Sequence, residues 1–368
     1  MAVESTRISY VLKRKRFLVA AVLAGGLIWI LVPKREPLYK GKPISYWVDQ
    51  ACRGYDSSPA YNARFEITNI GPAAVPYLVK RLRTSDRWRG IWFSIQAHLP
   101  SQFQTGITNN PLPGEMRYGA ARTLGLLGSA AKPAVSALIP LLPRTDVPAI
   151  ETLTGIGPAA KDALPALRSL LRTTPGMSRR VQIAGALWQI GHETNLVLQV
   201  CTNALAPNSG DDGINACAYL MQLGRAAAPA VPAALALLQD TNRHEGARGN
   251  AANLLGAAQI SSPGILTALV EGTKSENPNV VRSCCAMALW RFDRQYAPLA
   301  TRVELQYIVS EKYTPVLFAR WLKFYGLDPE DCMPTLTALL HDNSEDIRKA
   351  AALALETIEA PSKLDAKQ

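Results

Sequence analysis

A chain of 368 residues with 48% hydrophobic content can bury a large core, so it is neither a disordered tail nor a small disulfide-stapled domain. Its 6 cysteines include no CxxC pair, which excludes the usual redox and zinc spacings. The formal charge of +11 overstates the body, because residues 1–36 carry seven Lys or Arg against Glu4 and Glu36 and leave only +6 elsewhere.

In chain order, residues 1–16 form a basic segment ending in Lys13, Arg14, Lys15 and Arg16. Residues 17–32, FLVAAVLAGGLIWILV, are an unbroken apolar run that reads as a transmembrane anchor or a signal sequence. As a helix it would reach about 24 Å against a hydrocarbon core of about 30 Å, a gap that flanking Lys and Arg can close by snorkelling. No small-x-small cleavage site follows Val32-Pro33-Lys34-Arg35, which favours an uncleaved signal-anchor. The compact basic block places the N-terminus in the cytoplasm and the body on the extracytoplasmic side, the periplasm in a cell with two membranes, although basic residues flank the run five against four. Residues 33–58, with Pro33, Pro37, Gly41, Pro43 and Gly54, read as a tether with two helical turns at Ile44–Ala51 and Trp47 set against the first repeat.

Repeats organise the rest. The stretch MRYGAARTLGLLGSAAKPAVSALIPLL, residues 116–142, reads as two amphipathic helices joined at Gly128. Equivalent marks fall at Gly157, Gly191, Gly224, Gln259, Asp293, Gly326 and Glu359, at intervals of 29 to 35 residues. Four residues before each mark stands Leu124, Leu153, Leu187, Leu220, Leu255, Leu289, Leu322 or Leu355, the expected buried ladder. Seven before it the residue is mostly small: Ala121, Ile150, Ala184, Cys217, Ala252, Ala286, Ala319 and Ala352. Eleven before it, Arg117, Arg180, Arg248, Arg282 and Arg348 mark the start of the first helix, and Pro133 and Pro229 mark the first turn of the second.

These residues resemble the HEAT-repeat family, in particular its phycobilisome-lyase-like form with units near VRxxAAxALGxIGxxAxxAVPxL, over most of residues 59–360. The resemblance implies an all-α fold, a right-handed α-solenoid of about ten helical hairpins. An earlier unit marked by Gly71 precedes a degenerate one whose first helix is RWRGIWFSIQAHL, and a loop insertion follows near residues 100–115. The last unit shows a first helix, 345–360, without a second, and residues 361–368 are a polar tail that caps the array.

Function follows less directly. One enzymatic HEAT branch, deoxyhypusine hydroxylase, binds iron through His-Glu pairs at a fixed repeat position; His192-Glu193 and His244-Glu245 stand one after and fifteen before their marks and are not equivalent. A lyase-like reading would need a reactive cysteine, whereas Cys217 and Cys285 fall on buried faces, with Cys284 beside the latter and Cys52, Cys201 and Cys332 isolated. Lys80, Arg81, Arg83, Arg87 and Arg89 with Trp88 and Trp92 could grip a nucleic acid, but they are better read as a solvated face or one beside lipid headgroups. Trp188, Trp290 and Trp321 read as packing between repeats. The expectation is therefore a non-catalytic, membrane-tethered scaffold for a protein partner, with no metal, cofactor or small-molecule substrate and nucleic acid disfavoured. A lyase-like or metal-dependent HEAT enzyme is the alternative. Candidate partner contacts are Trp88, Arg89, Trp92, Gln102, Phe103, Asn109 and Asn110, in or beside the insertion.

Overall fold

The computed structural model describes residues 36–53, 58–84, 113–207 and 212–359. The apolar run 17–32 lies outside them, as do all seven candidate contact residues; among the described residues no helix is long and apolar enough to cross a membrane. The chain divides into two units, residues 1–127 and 128–368.

The first unit opens on a two-residue strand pair, β1 (Leu38–Tyr39) with β2 (Lys42–Pro43), antiparallel and closed by Lys40 and Gly41 at positive φ. Helix α1 (Ile44–Cys52) follows at once and buries Ile44, Val48, Ala51 and Cys52, so this part of the stretch read as a tether contributes to the core. Trp47 is held within that segment, its indole donating to Tyr39 O at 3.0 Å. After α2 (Ser58–Ile70), a 3-10 turn Gly71–Ala74 and α3 (Val75–Leu82), the described chain resumes at α4 (Pro113–Leu126). The insertion was expected to extend to Glu115; instead Pro113 opens α4, its fixed φ suiting a first helical turn. Gly119 of α4 meets the backbone of α1 so closely that a Cβ there would lie 2.6 Å from Cys52 Cα.

The second unit is a succession of helices. A short α5 (Val135–Leu138) precedes α6 (Ala149–Ile156), α7 (Leu164–Thr173), α8 (Met177–Gly191), α9 (Thr194–Asn203), α10 (Gly213–Gln222) and α11 (Val231–Gln239). Then come α12 (Glu245–Ala258), α13 (Pro263–Gly272), α14 (Asn279–Phe292), α15 (Ala297–Ser310), α16 (Val316–Tyr325), α17 (Met333–Leu339) and α18 (Glu345–Glu359). The fold is all-α apart from the β1–β2 pair among the described residues.

The marks are where the first helices end. Gly71, Gly128, Gly157, Gly224 and Gly326 have positive φ, as does Gln259, while in one repeat the left-handed residue is His192 rather than Gly191. Asp293 departs from this, being extended and capping the next turn through Gln295 N at 2.9 Å. The leucines from Leu124 to Leu322 are buried. Ala319 of α16 is half-buried; in α18 Leu355 is only half-buried and Ala352 exposed, because that helix turns Ile347, Ala350, Ala351 and Ala354 inward instead. Pro133 and Pro229 sit inside 3-10 turns, Gly128–Ala134 and Gly224–Ala230, and the α-helices start just after them at Val135 and Val231.

Each recurring arginine reaches back to a backbone carbonyl at the end of an earlier helix or a few residues beyond it. Arg180 Nη1 donates to Leu171 O at 2.8 Å, Arg248 Nε to Leu238 O at 3.0 Å and Arg282 Nε to Thr273 O at 3.3 Å. Arg348 Nη1 donates to Asp342 O at 2.7 Å, and Arg117 Nη1 to Thr84 O at 2.8 Å. The last carbonyls of a helix have no partner within it, so a guanidinium satisfies both their hydrogen bonding and the negative helix end.

Candidate functional site

The residues with chemical potential are mostly in structural roles. His192 ends α8 in the left-handed conformation, its backbone N–H donating to Trp188 O at 2.7 Å, and Glu193 pairs with Arg168 at 2.6 Å. His244 caps the other kind of terminus, its Nδ1 accepting from Gly246 N at 3.1 Å at the start of α12. The two His-Glu pairs thus serve opposite helix ends, and among the described residues no three His, Cys, Asp or Glu side chains converge as metal ligands.

All six cysteines are buried and unpaired. Burial pushes the thiols of Cys52, Cys201, Cys217, Cys284 and Cys332 up to about 12 and raises that of Cys285 likewise, so none is a thiolate at neutral pH. Of the basic cluster, Arg81 pairs with Asp49, and Lys80 and Arg83 are exposed. Trp188 is half-buried, Trp290 is buried with its indole donating to Asp331 Oδ2 at 3.3 Å, and Trp321 stacks on Tyr307 with ring centroids 5.9 Å apart. These rings are packed on protein.

A polar cluster inside the second unit has no counterpart in the spacing of the residues. Ser283 Oγ on α14 donates to Glu304 Oε2 on α15, and Asn253 Nδ2 on α12 lies 3.3 Å from Cys284 Sγ. Burial pushes the Glu304 carboxyl up to about 7, a rise that the Ser283 hydroxyl partly opposes. Asn253 Oδ1 and Thr301 Oγ1 are buried without a hydrogen-bond partner among the described residues. A lone glutamate on a helix reads as solvated, and no spacing distinguishes Glu304 from its exposed neighbours; only the Ser283 it faces could have raised the question.

Two of the surface cavities combine apolar and charged side chains. In the first unit a cavity of about 740 Å³ is lined by Tyr61 and Phe65 of α2 and by Arg122 and Leu126 of α4. In the second, the ends of α12, α14 and α16 line a cavity of about 450 Å³ that includes Gln259, Trp290, Arg291, Arg294 and Tyr325.

Residues 332–359 match the HEAT repeat family model. That span takes in α17 and α18, so the family's own repeat joins what reads as the second helix of one hairpin to the first helix of the next. In this framing α18 completes a repeat, rather than beginning an unfinished one. No curated protein matches the chain. Among solved structures, the karyopherin Kap121p bound to the extreme C-terminus of the protein phosphatase Cdc14p is similar at 12% identity and TM-score 0.41, over 86% of this chain and 37% of that one. Human deoxyhypusine hydroxylase in complex with glycerol is similar at 15% identity and TM-score 0.28, over 86% and 94%. The chain spans little more than a third of the karyopherin's length, and both scores are too low to carry an argument about fold or function. The matched segment, set in a chain whose leucines and arginines recur at the same spacing, is similar to a HEAT repeat.

Proposed function

We propose that the chain is a non-catalytic HEAT-repeat scaffold that binds another protein. The observation that supports this reading is the cavity of the first unit: Tyr61, Phe65 and Leu126 line it while 74%, 64% and 59% exposed. Tyr61 and Phe65 are four apart on α2 and share a face. Large apolar side chains grouped in water mark contact surfaces, since burying them returns about 25 cal/mol for each Å². Repeats of this kind supply such surfaces rather than reaction centres. A photo-crosslinking residue at position 61 or 65 of the full-length chain should give a discrete protein adduct in cells, and one at exposed Lys349 should not. Identical labelling at all three positions, or none at 61 and 65, would sink the proposal.

The same reading has residues 17–32 as an uncleaved anchor, with the repeats on the extracytoplasmic side. Its support is the apolar run and the basic block before it. The intact chain should stay in the membrane fraction through a high-salt wash and be digested by protease added outside. Release by salt, or protection of the repeats, counts against it.

A further inference from the structure

The cavity at the ends of α12, α14 and α16 contains acids that already have partners. Asp331 Oδ2 accepts from Trp290 Nε1 at 3.3 Å and pairs with Arg294 Nε at 3.3 Å, while Asp328 Oδ2 pairs with Arg294 Nη2 at 3.3 Å. Asp293 accepts from Gln295, backbone N at 2.9 Å and Nε2 at 3.0 Å. Arg291 differs from them: it is half-buried, and among the described residues its guanidinium has no ion pair or hydrogen bond. Desolvation lowers its pKa, with Tyr325 acting weakly in the other direction. Its stem crosses α12 at Gly256, where an added Cβ would sit 3.5 Å from Arg291 Cδ and 3.0 Å from Ala288 Cα. The close approach of α12 and α14 therefore also holds the arginine in place.

A partly desolvated cation without a direct ion pair is costly, and a planar carboxylate repays that cost through two parallel N–H···O bonds. The surroundings select among anions. Arg291 and Arg294 share the lining with Asp293, Asp328 and Asp331, an excess of one negative charge that opposes every anion and a dianion such as phosphate more strongly than a single carboxylate. Phe292 and Leu327 add apolar wall. We propose that this cavity binds a monocarboxylate carried on an apolar group, with Arg291 as its bidentate partner. The carrier is a small arylalkyl acid or the terminal residue of a polypeptide; the latter rests on the scaffold reading, the former does not.

The test uses the full-length chain labelled with ¹⁵N-arginine, following the Nε–H resonance that disappears in Arg291→Gln. The probes are 3-phenylpropionate, N-acetylphenylalanine, the amide of each, and inorganic phosphate. Saturable movement of the Arg291 signal is expected with at least one of the two carboxylates, with affinity falling about tenfold or more for the amide and for Arg291→Gln, and less for Arg291→Lys. Preference for N-acetylphenylalanine points to a polypeptide terminus, and preference for 3-phenylpropionate to a small acid. Arg291→Lys keeps the charge and guards against a folding fault in the glutamine variant; Arg302→Gln, at an exposed ion pair with Asp342, should bind as wild type. Tighter binding of phosphate, equal binding of acid and amide, or no response to either carboxylate overturns the proposal. The last outcome together with a crosslinked partner at position 61 would leave the scaffold reading standing.

Discussion

Two stretches of the second unit turn from helix to helix in different ways. At Gly128, Gly157 and Gly224 the chain passes through a left-handed glycine into a 3-10 turn. Fully buried alanines close these turns, Ala131 and Ala134, Ala160 and Ala163, Ala227 and Ala230. From residue 244 to 310 no glycine takes that part: Gln259 is left-handed, Asp293 is extended, and Ser262 Oγ caps α13 by accepting from Ile265 N at 3.3 Å. This second stretch buries Arg248, Asn253, Ser283, Thr301 and Glu304. Glycine turns bring the two helices together through side chains no larger than a methyl. Turns capped by side chains belong to the stretch whose interior admits charged and amide groups, each needing a partner, where the first stretch buries only the hydroxyls of Thr152 and Thr174.

The largest expected effect lies in what the two stretches share. Leu187→Ala should lower the unfolding free energy by about 2–5 kcal/mol, and Leu255→Ala by a similar amount, because both leucines are buried. Leu355→Ala, at a half-buried position, should cost distinctly less. Equal midpoints for Leu187→Ala and wild type in urea would break the common ladder.

Next comes the polar interior. A Glu304 carboxyl ordinarily near 4.5 is raised to about 7 in the folded chain. The folded state therefore holds this proton more tightly than the unfolded one, so the associated stability is complete below pH 4.5 and is lost as the pH rises through 7. The loss is on the order of 3 kcal/mol. Urea titrations on either side of that window should show the loss in wild type and a smaller one in Glu304→Gln; parallel pH profiles would mean that the carboxyl is solvated.

Smaller still is the turn itself. Gly157 has φ 68° and ψ −145°, backbone open to glycine almost alone, and nothing lies within 4 Å of where its Cβ would be. Gly157→Ala should cost about 1–3 kcal/mol from strain only. Gln259→Gly should fall within about 1 kcal/mol of wild type, since left-handed strain is relieved while amide bonds to Gly256 O at 2.7 Å and Arg291 O at 3.1 Å are lost. Thermal melts that ranked the two substitutions in reverse would remove the distinction between the turns.

The all-α repeat was legible because a helix face repeats its chemistry: a buried leucine four residues before a turn leaves a periodic trace whatever its neighbours are. Gln259 keeps the left-handed turn without the glycine, and Asp293 loses it, so the register had to come from the leucines. Capping by the arginines left a trace of position but not of partner, since their carbonyl acceptors belong to the backbone and have no signature in side-chain order. The interior around Glu304 left none, because its burial is decided by what α14, α16, α17 and α18 set against α15. For the site, the expected contacts from Trp88 to Asn110 lie outside the described residues, and residue order does not reveal the exposure of Tyr61 and Phe65, because apolar residues four apart on a helix have the same spacing as a core face.

The backward reach of the arginines bears on how such a chain can change over generations. Arg180, Arg248 and Arg282 hold carbonyls only nine or ten residues upstream, so a duplicated hairpin would carry its own clasp with it. Arg117 holds Thr84 O although 33 positions separate the two, with residues 85–112 in between. The clasp joins the two places it touches and is indifferent to the length of chain connecting them. Additions between two clasped places are thereby uncoupled from the contact itself, and chain can be gained there without undoing it.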